Sequence, residues 1–97
     1  MKANDVKTIY EQALHKWGYS AQMLMAIEEC SELIKAICSS FRGRSVNVAE
    51  EIADVEIMCK QLRAMYGSDA VDKEKKKKLA RLKRRLMSTT NGTFSSK

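Results

Sequence analysis

Three glycines divide this chain into segments of helical length. The 97-residue sequence contains no proline, and Gly18, Gly43 and Gly67 separate stretches rich in Ala, Leu, Glu, Lys and Met. Those residues favour helix, whereas glycine destabilises a helix interior and commonly ends a helix. We therefore expect an all-α chain with four helices and breaks at these three positions.

Apolar residues recur at three- and four-residue steps in the first two segments, which is the spacing of one helix face. The first helix is expected from about residue 4 or 5 to residue 16, and the second from Ser20, which can cap it, to about Phe41. The second helix is predicted to bury a stripe formed by Met23, Ile27, Cys30, Ile34, Ile37 and Phe41, with Leu24 and Leu33 widening it. Because this apolar arc is wide, part of it is expected to pack against another subunit.

Capping residues set the bounds of the third and fourth helices. Asn47 followed three residues later by Glu50 resembles a capping box, Gly67 is placed to end the third helix, and Ser68 can cap the fourth. The predicted core face of the third helix consists of Val48, Ile52, Val55, Cys59 and Leu62. Residues 88–97 have little to bury and are predicted to be disordered, which leaves one helical domain over residues 1–87.

These helices predict a four-helix bundle-like protomer with antiparallel central helices. A chain this short buries only a modest fraction of its surface alone, so assembly as a dimer or tetramer is expected.

Charge is unevenly distributed along the chain. Residues 1–71 contain 8 Lys and Arg against 10 Asp and Glu, whereas residues 72–97 contain 10 against 2. A basic final helix suggests an anionic partner, either a nucleoside triphosphate or nucleic acid. No apolar run approaches the ~20 residues that cross a bilayer, so a cytoplasmic location without a membrane partner is expected. Cysteines placed inside helices, without paired spacing, suggest reduced core thiols rather than disulfides or zinc ligands.

Four carboxylates occupy two matched helical steps, Glu29 with Glu32 and Glu51 with Asp54. Residues three apart share a helix face, so antiparallel packing of the second and third helices would bring both pairs together. A single pair of this kind is most often solvated surface. Here, however, each pair lies within an apolar segment, where acids seldom lack a partner. Oxygen-only ligands favour Mg²⁺ or Mn²⁺ over zinc, and such sites commonly handle phosphates.

The acidic pattern resembles the signature of the MazG-like, all-α nucleoside triphosphate pyrophosphohydrolases. The matching segments are Ile-Glu-Glu-Cys-Ser-Glu-Leu at 27–33 and Glu-Glu-Ile-Ala-Asp-Val at 50–55. Residues 17–22 look like the entry segment of short phage and bacterial members, and 78–82 look like their closing Lys-x-x-Arg helix. The resemblance covers about residues 4–87. It implies an Mg²⁺-dependent enzyme, with Mn²⁺ also possible, that cleaves a nucleoside triphosphate to the monophosphate and pyrophosphate.

The resemblance also implies roles for individual residues. The metal ligands would be Glu29, Glu32, Glu51 and Asp54. Glu28 is the candidate for orienting or deprotonating the attacking water, and a solvated helix acid is the plainer interpretation. Lys78 and Arg81 would contact the triphosphate. From their side chains, Trp17, Tyr19 and Gln22 could form a nucleobase pocket, with an aromatic face to stack on the base and an amide to read its edge, although burial between the first two helices is the simpler explanation for Trp17.

Other functions fit parts of the sequence. A non-enzymatic helical module could bind nucleic acid through basic residues 73–85, with strong salt dependence, although no pattern for reading bases accompanies them. A di-iron bundle would use Glu-x-x-His steps, which the sequence lacks. An inactive family member retained for assembly would not need all four acids.

Overall fold

The computed structural model describes residues 3–88, with side chains from Ile9 onward, and this part of the chain is all-α. Three helices and no strand occur in it: α1 (Ala3–Phe41), α2 (Val48–Tyr66) and α3 (Ser68–Ser88). The chain divides into two compact units, Met1–Gly67 with α1 and α2, and Ser68–Lys97 with α3. Of the tail predicted to be disordered, Ser88 is the last residue of α3, and 89–97 lie outside the described residues.

A bend at Gly18 joins the first two predicted helices into α1. Its backbone has φ 86° and ψ 166°, a combination essentially restricted to glycine. The residues on both sides are helical, so the predicted break exists as a kink inside one element. The segment before the kink contacts α2, where Gln61 Nε2 donates a hydrogen bond of 2.9 Å to the Tyr10 carbonyl.

The connection between α1 and α2 begins with a Schellman motif at Gly43. Gly43 has φ 81°, and the N–H groups of Gly43 and Arg44 donate to the carbonyls of Ser40 and Ser39 at 2.9 and 3.0 Å. These bonds satisfy carbonyls that the end of the helix would otherwise leave unpaired. The prediction that Gly43 breaks the helical run is confirmed.

Both predicted signals at the ends of α2 are also confirmed. The Asn47 side chain accepts a hydrogen bond of 3.1 Å from the Glu50 N–H, which is the capping interaction of a helix N-terminus. Gly67 has φ 102°, and its N–H donates to the Arg63 carbonyl at 2.8 Å. Local sequence therefore determines where this helix starts and stops.

The helices α1 and α2 pack antiparallel through a seam of small and polar side chains. Ala36 lies beside Glu51 at one end, and Ala26 lies beside Leu62 toward the other. The α1 side of the seam consists of Gln22, Ala26 and Ala36, which are buried, and Glu29 and Leu33, which are partly buried. On α2 the seam contains buried Met58 and Gln61 and partly buried Glu51 and Asp54. The seam thus places carboxylates between two helices.

The apolar stripe that was predicted to be buried on α1 lies largely on the surface of this unit. Ile27, Ile34 and Phe41 are 66%, 62% and 93% exposed. Each stripe residue from 23 to 37 follows a seam residue by one position, which is a rotation of about 100° around the helix. On α2, Ile52 and Cys59 are likewise exposed, whereas the other predicted core residues Val48, Val55 and Leu62 are partly buried. The predicted core face of α2 is thus buried in part.

The exposed stripe borders an open apolar groove of about 500 Å³. Its lining consists of Met23, Ala26, Ile27, Cys30, Ser31, Ile34, Leu62 and Tyr66. The cysteines Cys30, Cys38 and Cys59 are free, as expected, but exposed rather than in a core. Across residues 3–88, no helix is long and apolar enough to cross a membrane.

Candidate metal centre

Three carboxylates meet across the seam, and we call Glu29, Glu51 and Asp54 the acidic trio. Glu29 comes from α1, while Glu51 and Asp54 lie one turn apart on α2. One carboxylate oxygen from each lies within 4.8 Å of those of the other two, and all three residues are partly buried. Oxygens around Mg²⁺ lie about 3–4 Å apart, given Mg–O distances of about 2.1 Å. Small side-chain rotations would therefore let one hard cation contact all three.

The electrostatics of the trio also favour a cation. Desolvation by burial, followed by repulsion from Asp54 and Glu51, raises the pKa of Glu29. Desolvation and then Asp54 likewise raise the pKa of Glu51. Both shifts reflect negative charge that is costly to hold ionised in one place. A divalent cation would offset this cost, so the donor set fits Mg²⁺ or Mn²⁺.

The fourth predicted ligand, Glu32, is not part of the trio. Its Oε2 lies 3.4 Å from Lys35 Nζ, one turn further along α1. Glu32 is near enough that its charge contributes to the raised pKa of both Glu29 and Glu51. The expected four-carboxylate cluster is therefore present as three converging acids with Glu32 on the flank, because position 33, not 32, faces α2 in the seam.

Comparisons with protein-family models, curated proteins and solved structures give no match. The MazG-like resemblance therefore stays a prediction that depends on the motif residues themselves.

A polar pocket of about 280 Å³ adjoins the acidic trio. It is lined by Glu32, Lys35, Ala36, Ser39, Val46, Asn47, Glu50 and Glu51. Glu51 belongs to both the pocket and the trio, so the two share a wall. Lys35 and Ser39 are not among the predicted site residues. The available signal was spacing, because Lys35 follows Glu32 by three residues and Ser39 follows Lys35 by four, which keeps them on one helix face.

The other predicted site residues of this unit differ in exposure. Glu28 is exposed beside Glu29. Gln22 is only 5% exposed within the seam, on the same α1 face as Glu29, and this burial leaves it little surface to offer a nucleobase. Trp17 is 58% exposed with Lys16 Nζ 5.3 Å from its ring centroid, so its predicted burial between helices is wrong. A role in base binding for Trp17 and Gln22 stays a prediction.

Lys78 and Arg81 belong to the second unit. With Glu74, Lys77 and Arg84 they line a groove of about 260 Å³ along α3. Four cations against one acid give this groove the character of an anion site. Contact between these residues and a triphosphate stays a prediction.

Proposed function

We propose that this chain is an Mg²⁺-dependent nucleoside triphosphate pyrophosphohydrolase of the MazG-like type, which releases a nucleoside monophosphate and pyrophosphate. The observation that carries the proposal is the acidic trio, with its oxygens within 4.8 Å of one another between two packed helices. Burial, followed by repulsion from neighbouring carboxylates, raises the pKa of Glu29 and Glu51, and a divalent cation would offset this cost. Hard cations held by carboxylates are typical partners of nucleotide phosphates.

Each residue then has a defined task. Glu29, Glu51 and Asp54 would hold Mg²⁺, with Glu32 as the fourth proposed ligand. When bound, Mg²⁺ would neutralise phosphate charge and lower the pKa of water. Glu28, exposed next to Glu29, accepts the proton from the attacking water. Lys78 and Arg81, in the second unit, are the proposed phosphate-binding cations, through charge-assisted hydrogen bonds.

The proposed active form is a dimer or tetramer of bundle-like protomers in the cytoplasm. The support is the exposed apolar stripe of α1, where Ile27 and Ile34 are more than half exposed. Contiguous apolar surface of this kind usually marks an interaction site. A second protomer packed on the stripe would supply the core that one short chain lacks.

A second candidate function is non-enzymatic binding of nucleic acid through α3. The observation that favours it is the basic groove of Lys77, Lys78, Arg81 and Arg84. Such binding would weaken steeply with salt, because it depends on phosphate contacts. It assigns no task to the acidic trio.

A turnover assay with matched variants tests the proposal. Purified protein is incubated with a panel of nucleoside triphosphates, with and without Mg²⁺, and pyrophosphate and monophosphate are quantified. We expect metal-dependent release, reduced about 100-fold or more in Glu29→Gln and Asp54→Asn because a ligand to the cation is lost. Glu56→Gln is the control, since Glu56 is an exposed acid of α2 outside the trio.

Two results would contradict the proposal. One is no metal-dependent pyrophosphate release by the wild-type chain with any triphosphate. The other is equal loss of activity in Glu56→Gln and Asp54→Asn, which would separate turnover from the trio. A salt-sensitive gel shift that survives Asp54→Asn but disappears when Lys78 and Arg81 are neutralised would support the nucleic-acid function instead.

A further inference from the structure

The ion pair between Lys35 and Glu32 lies at the boundary between the acidic trio and the adjoining pocket. Lys35 Nζ is 3.4 Å from Glu32 Oε2, and the two side chains are 69% and 46% exposed. Glu74 and Lys77 on α3 form a pair of the same spacing at the same distance. The contact itself is therefore an ordinary helical pair of small energetic value. The Lys35–Glu32 pair differs from the Glu74–Lys77 pair in its position, because Lys35 and Glu32 both line the pocket that shares Glu51 with the trio.

The lining of this pocket indicates what kind of ligand can enter it. Among its lining residues Lys35 is the one cation, facing the carboxylates of Glu32, Glu50 and Glu51. A free phosphate would be repelled by this net negative charge. A phosphate that already carries a divalent cation would not be, because the cation satisfies the carboxylates while Lys35 meets a phosphate oxygen. The pocket thus suits a metal-complexed polyphosphate.

We propose that Lys35 is a substrate-binding residue that exchanges Glu32 for a phosphate of the metal-bound substrate, while Glu32 turns to the cation held by the acidic trio. The inference rests on the proposed function and adds to it a ligand subsite at the α1–α2 end of the seam. In the free protein the pair holds Glu32 on the flank of the trio. With metal and triphosphate present, both members gain a partner of higher charge. Both side chains have room to rotate, because both are exposed.

This exchange predicts effects of opposite sign for two ligands. In Lys35→Gln, Glu32 loses its competing partner and a nearby positive charge disappears. Mn²⁺ alone should therefore bind about two- to fivefold more tightly, the range expected for an exposed ion pair. A triphosphate presented with Mn²⁺ should bind about tenfold more weakly, because one charge-assisted hydrogen bond is lost. Loss of structure would weaken both ligands together.

Isothermal titration calorimetry on the full chain measures both effects without relying on turnover. Mn²⁺ is titrated first, and then a nucleoside triphosphate with a methylene bridge between its α- and β-phosphorus is titrated at saturating Mn²⁺. Lys35→Arg should retain the wild-type affinity for the analogue within a few-fold, since it keeps the charge. Lys60→Gln, an exposed lysine of α2 outside the pocket, is the control for net charge and should match the wild type.

The outcomes separate this inference from the proposed function. If wild type binds Mn²⁺ and the analogue, but Lys35→Gln binds the analogue equally well, the assignment of Lys35 is wrong and the proposed function stands. A drop in Mn²⁺ affinity in a Lys35→Gln variant that keeps the helical circular dichroism of the wild type would overturn the exchange with Glu32. If the wild-type chain binds no Mn²⁺ at all, the acidic trio is not a metal site and both proposals fail. Tight binding of inorganic phosphate without metal would also overturn the assigned ligand class.

Discussion

Replacing Gly18 by alanine should destabilise the first unit, because alanine cannot easily adopt the backbone that makes the kink. At φ 86° and ψ 166° a residue with a side chain is strained by about 1–3 kcal/mol. No neighbouring atom lies within 4 Å of the added Cβ, so the strain comes from the backbone and not from a clash. Alanine also restricts the unfolded chain, which returns about 0.4–1 kcal/mol. The net loss in the free energy of unfolding is therefore about 1 kcal/mol, and at most about 2.5 kcal/mol.

The chain could avoid this strain by continuing α1 as a straight helix, but that response is also costly. Straightening would carry Tyr10 away from Gln61, which is 1% exposed. The Nε2 of Gln61 would lose its acceptor, the Tyr10 carbonyl. Its Oε1 already has no hydrogen-bond partner among the described residues. An unsatisfied buried donor costs about 1–3 kcal/mol, so either response leads to a similar loss.

Urea denaturation followed by far-UV circular dichroism, at one fixed protein concentration, measures the effect. In a thermal melt of the same variants, each kcal/mol lost would lower the melting temperature of a small domain by about 4–8 °C. Ser20→Ala is the control. Ser20 lies inside α1 with an exposed side chain, not at the cap predicted for it, so this change should alter stability by no more than about 0.5 kcal/mol. D-alanine at position 18, introduced by chemical synthesis, should restore stability since its preferred φ is positive. Equal stability of Gly18→Ala and wild type, with the Gln61–Tyr10 contact retained in NMR spectra, would refute the argument.

Two further predictions concern the acidic trio and the stripe. The pKa values of Glu29 and Glu51 are raised above their ordinary values in the folded protein. Metal-free protein therefore binds protons more strongly when folded than when unfolded. Its free energy of unfolding should fall as pH rises through these raised pKa values. Thermal melts at several pH values should show this slope, with Glu29→Gln or added Mg²⁺ reducing it, and a slope unaffected by either would argue against repulsion in the trio. Ile34→Glu should shift the populations seen in sedimentation equilibrium from oligomers toward single protomers, while Ile34→Leu should not. Unchanged populations in Ile34→Glu would show that the stripe is not the interface.

The helix ends were predictable from sequence because their causes are local. Gly43 and Gly67 adopt positive φ where each helix stops, and Asn47 caps the next one through its own side chain. Which face of each helix becomes buried was not predictable in the same way. Residues 22, 26, 29, 33 and 36 follow the same heptad spacing as 23, 27, 30, 34 and 37, so periodicity alone cannot choose between the two faces. Hydrophobicity favoured the second set, whereas the smaller and more polar first set packs against α2.

The candidate site was predicted in part for a related reason. On α2, the seam includes both members of the acidic step, Glu51 and Asp54. On α1 it includes only Glu29, since the next seam position is four residues later, at Leu33, and Glu32 falls beside it. Lys35 was not predicted, because spacing places it on the helix face of Glu32 but does not reveal the pocket that this face forms with the start of α2.

The acidic trio comes from two consecutive helices joined by a short turn, and this arrangement has a consequence for how the site could form. Every oxygen donor lies between Glu29 and Asp54, so one helical hairpin contains them all. Contacts so near in sequence close quickly as a chain folds, before distant segments are in place. A cation bound there would cross-link the two helices of the hairpin early in folding, before the rest of the protein has reached its final structure.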